Sequence, residues 1–310
     1  MNPEENVMPE SPFAPQAPAP AVLSATRPLY WSVRREIWEN RSIYLAPLAV
    51  AIAFLLVFVV GLIIQRHLTI EQSPLSPMKQ HLLLQTPYIG VSLLLMLTTF
   101  LIAVFYCLDA LYGERRDRSV LFWKSLPVSD LTAVLSKAII PLIVIPLITF
   151  VITFVTQVIM LLLGSVILPM QGVSAATLWN NLSFFPMALM LLYHLLAIHG
   201  LWYAPIYAWL LLVSSWARRA PFLWAVLPPL AIVVIEFVSF RTTYFGSLLA
   251  NRLSGGSEGA GFAIGGMSME PLEHFSPGQF LLSPNLWIGL AVAAAFLAAA
   301  IQLRRYREPL

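Results

Sequence analysis

Six segments of the chain are apolar over about 17 residues or more, the length that an α-helix needs to cross a hydrocarbon core roughly 30 Å thick. A transmembrane β-barrel would instead show segments of about ten residues in which apolar and polar side chains alternate. Continuous apolar runs such as residues 55–60 do not alternate. Only 11% of the 310 residues are charged, against roughly 25% in soluble globular domains. We therefore expect an all-α polytopic membrane protein with six transmembrane helices.

The third and fourth apolar segments each exceed 30 residues, so we expect these spans to tilt, kink or project beyond the bilayer. Pro141 and Pro146 would kink the third span. Neither segment contains the polar turn cluster that would mark a hairpin inside the membrane. Residues 43–303 should form the transmembrane domain. The six predicted spans cover about residues 44–64, 88–108, 138–168, 182–213, 222–238 and 286–303.

The segments that flank the spans are predicted from their composition. Residues 1–27 are rich in proline and lack the features of a signal peptide, which indicates a disordered cytoplasmic tail. Residues 28–42 place Leu29, Val33 and Ile37 on one helical face, which predicts an amphipathic helix lying at the membrane interface. The alternative is an amphipathic start to the first span that binds nothing. Residues 304–310 should form a short cytoplasmic C-terminal tail.

Basic residues set the expected orientation. If the N-terminus is cytoplasmic, 14 of the 18 Lys and Arg residues fall on the cytoplasmic side, as the positive-inside rule requires. Both termini should then be cytoplasmic, and the long connection 239–284, which contains a glycine-rich stretch, should lie outside and be partly flexible. The cytoplasmic basic residues are Arg27, Arg34, Arg35, Arg41, Arg115, Arg116, Arg118, Lys124, Lys137, Arg218, Arg219, Arg304, Arg305 and Arg307.

The sequence contains no recognisable catalytic motif. None of its three lysines follows the glycine-rich turn that cradles phosphates in nucleotide-binding loops. It contains neither a GxSxG elbow nor an HExxH helix, and its single cysteine, Cys107, cannot form an internal disulfide or a CxxC pair. We expect no catalytic residue, cofactor or metal in this chain. If ATP drives the protein, a partner subunit must bind the ATP and its Mg²⁺.

Three polar residues in or near the predicted spans could line a pathway. His194 and His199 are five residues apart, which separates them by roughly 140° on an α-helix and makes a shared metal site improbable. Glu236 would cost about 2.5 to 3.5 kcal/mol if it were unpaired at the membrane centre. It either lines a substrate or proton path, or reaches water from its position three residues before Ser239.

The connection between the second and third spans, residues 112–130, mixes charge with aromatic side chains. A loop that only reverses the chain would hardly present Phe122 and Trp123 beside a dense charge cluster, so we expect it to meet a partner. Anchoring of Trp123 at the lipid interface is the alternative. Ser129 or Asp130 can cap the next helix.

The stretch ERRDRSVLFWKSLPVSDLTAVLSK, residues 114–137, resembles the segment between the second and third spans of type-2 permeases of ATP-binding cassette (ABC) transporters. In that family the loop is a coupling helix that docks into a groove on a separate ATPase subunit. The six spans, the helix before the first span and the long outer connection before the last also resemble the family, whereas the glycine-rich insertion between Ser254 and Gly266 departs from it. The residues at the family's coupling positions are Glu114, Arg115, Asp117, Arg118, Phe122, Trp123, Lys124, Ser125, Leu126, Pro127 and Asp130.

The resemblance implies a permease subunit of an ATP-driven exporter in the plasma membrane, the inner membrane of a bacterium. Its partners would be an ABC ATPase, in two copies, a second permease chain, identical or not, and membrane lipid, but no nucleic acid. Two other hypotheses remain. One is a proton-coupled secondary transporter in which Glu236 and His194 are the coupling groups. The other is a membrane sensor or assembly component that transports nothing.

Overall fold

The computed structural model describes residues 26–68, 77–118, 129–171, 174–182, 184–255 and 277–306, and within these ranges the chain forms only helices and short connections. Two π-helical segments, Ile140–Val144 and Leu195–Trp202, lie within the third and fourth apolar segments. The α-helices are α1 (Thr26–Glu39), α2 (Ser42–Leu68), α3 (Pro77–Ala110), α4 (Tyr112–Arg116), α5 (Asp130–Ile139), α6 (Ile145–Ile167), α7 (Ala175–Asn181), α8 (Phe184–His194), α9 (Ala204–Trp216), α10 (Pro221–Phe240), α11 (Tyr244–Leu253), α12 (Pro277–Leu282) and α13 (Pro284–Tyr306).

Six helical segments of the described chain are long and apolar enough to cross a membrane, so the protein is an integral membrane protein. This confirms the all-α fold with six transmembrane helices that the sequence predicts. Each segment overlaps one predicted span, and the third begins several residues earlier than predicted. The six segments are Ser42–Ile64, Leu84–Arg116, Asp130–Met170, Phe184–Trp202, Pro221–Phe240 and Pro284–Tyr306.

The third span changes its helical geometry at its two prolines. Pro146 has no N–H to donate to the Leu142 carbonyl four residues earlier, and the chain between Ile140 and Val144 adopts a π-helical turn instead of a regular α-helix. The kink expected from Pro141 and Pro146 therefore takes the form of a π-helical segment that joins α5 to α6.

The fourth apolar segment is divided at Tyr203. The helix α8 continues into the second π-helical segment, which ends at Trp202, and α9 starts at Ala204 with a proline in its first turn. Tyr203 is bonded to both helices, because its N–H donates to Ile198 O at 2.9 Å and its carbonyl oxygen accepts from Tyr207 N at 3.1 Å. The excess length of this segment is thus absorbed by a break between two helices and not by a hairpin.

The helix α9 lies at the centre of the bundle, where it packs against α3 and α13, while α2 packs against α3 and α6, and α1 against α5. One apolar cluster surrounds the buried rings of Tyr203 and Tyr207, and a second surrounds Tyr88 and Met160. The helix α10 leaves most of its apolar side chains exposed, including Leu227 and Ile235, as expected of a surface that faces lipid.

The two π-helical segments touch each other at Gly200. A Cβ atom added to this glycine would lie 2.8 Å from the carbonyl oxygen of Leu142, which is closer than a real Cβ can approach. Small residues allow such close contact between helix backbones in membranes. The third and fourth spans therefore meet backbone to backbone at the point where both depart from α-helical geometry.

Several predictions fall on residues outside the described ranges. These are the disordered tail up to residue 25, the glycine-rich stretch within 256–276, and the last four residues. Two helices, α11 and α12, lie within the long connection 239–284. The helix α1 occupies most of the predicted interfacial helix, and α13 extends to Tyr306, into the predicted C-terminal tail.

Candidate functional site

The connection between the second and third spans is flanked by two helices. The helix α4 continues the second span after Leu111, and α5 begins the third span with Ser129 as its N-cap, whose Oγ accepts a hydrogen bond from Thr132 N at 3.1 Å. Residues 119–128 between them lie outside the described residues. That stretch contains six of the predicted coupling residues, which are Phe122, Trp123, Lys124, Ser125, Leu126 and Pro127.

The first turn of α4 is fixed to the end of α9. The hydroxyl oxygen of Ser214 accepts hydrogen bonds from the backbone N–H groups of Leu111 and Tyr112, at 3.0 and 2.8 Å. The guanidinium of Arg115 donates in return to the carbonyl oxygens of Ser214 and Ala217, at 2.8 and 2.7 Å. Since these carbonyls lie in the last turn of α9, they lack helical donors, and Arg115 satisfies them.

Glu114 lies at the centre of a cluster of ion pairs. Its carboxylate accepts hydrogen bonds from Arg35, at 3.2 Å, and from Arg304, and it pairs with the Lys137 ammonium at 3.1 Å. Arg304 also contacts Asp130, with 3.3 Å between Nε and Oδ1. Glu114 thereby connects α1, α5 and α13 to its own helix α4.

Glu36 of α1 is the second buried carboxylate of this cluster, and only 1% of it is exposed. Its Oε1 atom accepts hydrogen bonds from Lys137 Nζ and Arg35 Nη2, both at 2.8 Å, and its Oε2 atom accepts one from the Tyr106 hydroxyl at 2.9 Å. Sequence periodicity places Glu36 outside the apolar face of α1, yet the structure buries Glu36 while Arg34 and Glu39 remain exposed. We call the set of six charged residues the ion network; it consists of Arg35, Glu36, Glu114, Asp130, Lys137 and Arg304.

The ion network contains three acids and three bases, so its formal charge is zero. This balance matters because each buried ion pays a desolvation penalty of several kcal/mol, which only well-formed pairs offset. Glu39 extends the network toward the surface through Arg35, at 3.5 Å. Partial burial raises the pKa of the Glu39 carboxyl, although the nearby Arg35 favours its charged form.

Burial divides the predicted coupling residues into two groups. Glu114 and Arg115 are directed into the bundle, and both make contacts within the chain. Arg116, Asp117 and Arg118 are exposed, with Arg116 and Asp117 paired to each other at 3.0 Å. The exposed residues stand next to the stretch 119–128 in sequence and are accessible to a partner. Glu114 and Arg115 instead attach α4 to the neighbouring helices.

Glu236 forms its hydrogen bonds, within the described chain, with the segment that follows its own helix. Its carboxylate accepts hydrogen bonds from the Tyr244 and Phe245 N–H groups, at 2.6 and 2.9 Å, and from the Thr242 hydroxyl at 3.1 Å. A carboxylate in this position caps the N-terminus of α11 and interacts favourably with the helix dipole. The contacts that the structure gives Glu236 are those of a helix cap.

His194 and His199 are both buried, His194 at the end of α8 and His199 within the π-helical segment that follows it. Hydrogen bonds in a π-helix join residues five apart, so residues i and i+5 lie closer to one face than they would in an α-helix. His194 Nδ1 is bonded to Met190 O at 2.9 Å. His199 is fully buried, its ring lies edge-on to Tyr203, and neither of its ring nitrogens has a hydrogen-bond partner among the described residues. Within the described residues, no group of three His, Cys, Asp or Glu side chains could hold a metal ion.

Sequence reasoning missed Glu36, Lys137 and Arg304 as members of one site. Periodicity shows which residues share a helix face, but not which helix that face meets. The available signal was the charge balance beside the predicted spans: the network contains as many acidic as basic residues.

The chain matches no protein-family model, no curated protein and no solved structure.

Proposed function

We propose that the chain is the membrane-spanning permease subunit of an ATP-driven ABC transporter of the exporter type. Residues 119–128 would dock onto a separate ATPase subunit, and both termini would lie in the cytoplasm, at the inner membrane of a bacterium. A second permease chain and two ATPase copies would complete the assembly. The translocation pathway would be formed by the six spans.

One observation carries this proposal: both flanks of the stretch 119–128 are tied to the same ion network. Glu114 precedes the stretch and Lys137 follows it, and the two are paired at 3.1 Å. Through Glu36 and Arg304 the network also includes α1 and α13. A displacement of the connection by a partner would therefore be passed to the second, third and sixth spans at once. Such coupling is what a permease without its own nucleotide site requires.

The charged groups here are better suited to transmitting force than to stabilising the fold. Replacing a buried ion network by apolar side chains is often neutral or stabilising, whereas removing one partner costs about 3–5 kcal/mol. A closed network of charges thus holds four helix ends in one arrangement and penalises every other arrangement. We infer that Glu114 positions the coupling segment and that Phe122 and Trp123 contact the ATPase.

The docking role is tested by the double variant Phe122→Ala/Trp123→Ala. Aromatic side chains dominate the binding energy of many interfaces, so their loss should reduce the recovered ATPase by about tenfold or more. Tagged permease is purified from membranes in mild detergent, and a co-purifying polypeptide with a nucleotide-binding loop is quantified by mass spectrometry. The variant Trp179→Ala/Phe185→Ala is the control, because it truncates two exposed aromatic side chains beyond the opposite end of the third span. Equal recovery with the docking variant would count against the assignment.

Proton-coupled transport is the second candidate, and His199 is the observation that favours it. A fully buried imidazole without a hydrogen-bond partner is rare in folded proteins. Glu236, by contrast, is occupied as a helix cap. The purified chain reconstituted alone in liposomes discriminates the two functions. A coupled permease should give no proton flux along an imposed pH gradient, whereas a secondary transporter should give a flux that His199→Gln abolishes.

A further inference from the structure

A groove opens between α9 and α13 near the end of the bundle that contains the ion network. Its volume is about 560 Å³, within the range of small-molecule sites, and it is lined mainly by Trp209, Trp216, Ala299, Gln302 and Tyr306. Trp209 and Trp216 are seven residues apart, as are Ala299 and Tyr306. At 1.5 Å per residue the groove therefore extends roughly 10 Å along the helices. It is mostly apolar, and Gln302 is its single amide side chain.

The aromatic walls of the groove are held in place by neighbouring helices. The indole N–H of Trp209 donates to Ala225 O at 3.0 Å, a carbonyl that lacks its usual helical donor because Pro229 has no N–H. Trp209 also packs against the ring of Phe296, and Trp216 lies edge-on to Trp224 with 4.9 Å between ring centroids. The walls are thus formed before any ligand binds, which lowers the entropy cost of binding.

Three arginines are close in sequence to residues that line this groove, and the guanidinium of one of them, Arg305, lies 5.8 Å from the ring centroid of Tyr306. Arg218 and Arg219 follow Trp216 within three residues, and Arg305 is adjacent to Tyr306. All three are exposed, and none forms an ion pair with an acidic residue of the described chain. Their neighbour Arg304, in contrast, is buried and paired with Glu114. Among the described residues, positive charge without an acidic partner thus stands near an aromatic and apolar groove.

We propose that this groove binds one anionic phospholipid from the surrounding bilayer. The acyl chain would lie along Trp209 and Ala299, Gln302 would donate to an ester oxygen, and the phosphate would meet the three arginines. Aromatic and basic residues at the ends of spans are typical of contacts with lipid headgroups. Lipid binding in this groove does not depend on coupling to an ATPase.

The headgroup contact is tested by comparing anionic with zwitterionic lipid. The protein is reconstituted in nanodiscs of phosphatidylglycerol and phosphatidylcholine in equal amounts, and retained lipid is identified by native mass spectrometry. Wild type should retain one phosphatidylglycerol in preference to phosphatidylcholine by about tenfold or more, because each arginine near the surface contributes about 1 kcal/mol. The triple variant Arg218→Gln/Arg219→Gln/Arg305→Gln should lose the preference, and the exposed control Arg34→Gln/Arg41→Gln should keep it. No preference in wild type, or an unchanged preference in the triple variant, would overturn the proposal.

The groove itself is tested by filling it. Ala299→Phe places a ring where the acyl chain would lie, and Ala298→Phe adds the same ring at the neighbouring exposed position, which does not line the groove. The first variant should retain less than about a tenth of the lipid that wild type retains, and the second should retain all of it. The thermal midpoint in phosphatidylglycerol nanodiscs should follow the same order, because a bound ligand raises it. Equal retention by the two variants would locate the lipid elsewhere and refute the assignment.

Discussion

Lys137 is the residue on which both buried carboxylates of the ion network depend. Its ammonium lies 2.8 Å from Glu36 and 3.1 Å from Glu114, and its side chain is almost fully buried. The sequence alone identifies Lys137 as one of the cytoplasmic charges, because the positive-inside rule treats a lysine beside a span as a topology signal. Its position within α5 alone does not reveal that two acids from other helices face it.

Replacing Lys137 by methionine should destabilise the protein strongly. The variant removes the cation shared by two buried carboxylates, and a buried charge left without its partner costs about 3–5 kcal/mol. The double variant Lys137→Met/Glu36→Gln restores the charge balance and should recover a large part of that loss, which a double-mutant cycle measures. Unfolding midpoints in detergent provide the readout.

The control for this prediction is Arg116→Gln. Arg116 and Asp117, which follow Glu114 closely in the sequence, form an exposed ion pair. Exposed pairs contribute about 0–1 kcal/mol to stability. The control should therefore unfold close to wild type. A Lys137→Met protein as stable as the control would show that the network is solvated and does not hold the helices.

At the scale of helices, the sequence predicts the existence of the spans much better than their internal geometry. Six apolar segments of sufficient length dictate six helices, because in lipid every backbone polar group must be satisfied within the segment. The π-helical segments could not be foreseen, since prolines indicate a kink but not the form it takes. The separation of His194 and His199 shows the consequence: roughly 140° holds for an α-helix, and the chain between them is π-helical.

Gly200 should be the least replaceable glycine of the third and fourth spans. In Gly200→Ala the new methyl would meet the Leu142 carbonyl at 2.8 Å, so the two backbones must move apart. Overpacking of this kind costs about 1–3 kcal/mol. The loss should appear as a lower thermal midpoint in detergent.

Gly61→Ala is the matched control for this prediction, because a Cβ at Gly61 meets nothing within 4 Å. Alanine has the higher helix propensity, so this variant should be as stable as wild type or slightly more stable. If Gly200→Ala behaves like Gly61→Ala, the contact between the two π-helical segments is looser than the structure indicates.

For the whole molecule, both termini should be on one side of the membrane, because six spans are an even number. The charge count predicts that this side is the cytoplasm, and the ion network should then lie on it, next to the ends of α4 and α5. The buried charges thus lie at one end of the bundle, whereas the short helices α7, α11 and α12 belong to the connections on the other side. Coupling to a cytoplasmic ATPase requires the first of these ends to face the cytosol.

Single-cysteine labelling tests this orientation directly. The only natural cysteine, Cys107, is fully buried and should remain unlabelled in the folded protein. In intact cells a membrane-impermeant maleimide should label Ser254→Cys, which lies in the long outer connection, but not Ser125→Cys. Permeabilised cells should label both, which controls for accessibility of the second position. Labelling of Ser125→Cys in intact cells would place the coupling stretch outside, where no ATP-driven partner could reach it, and the ion network would then need another role.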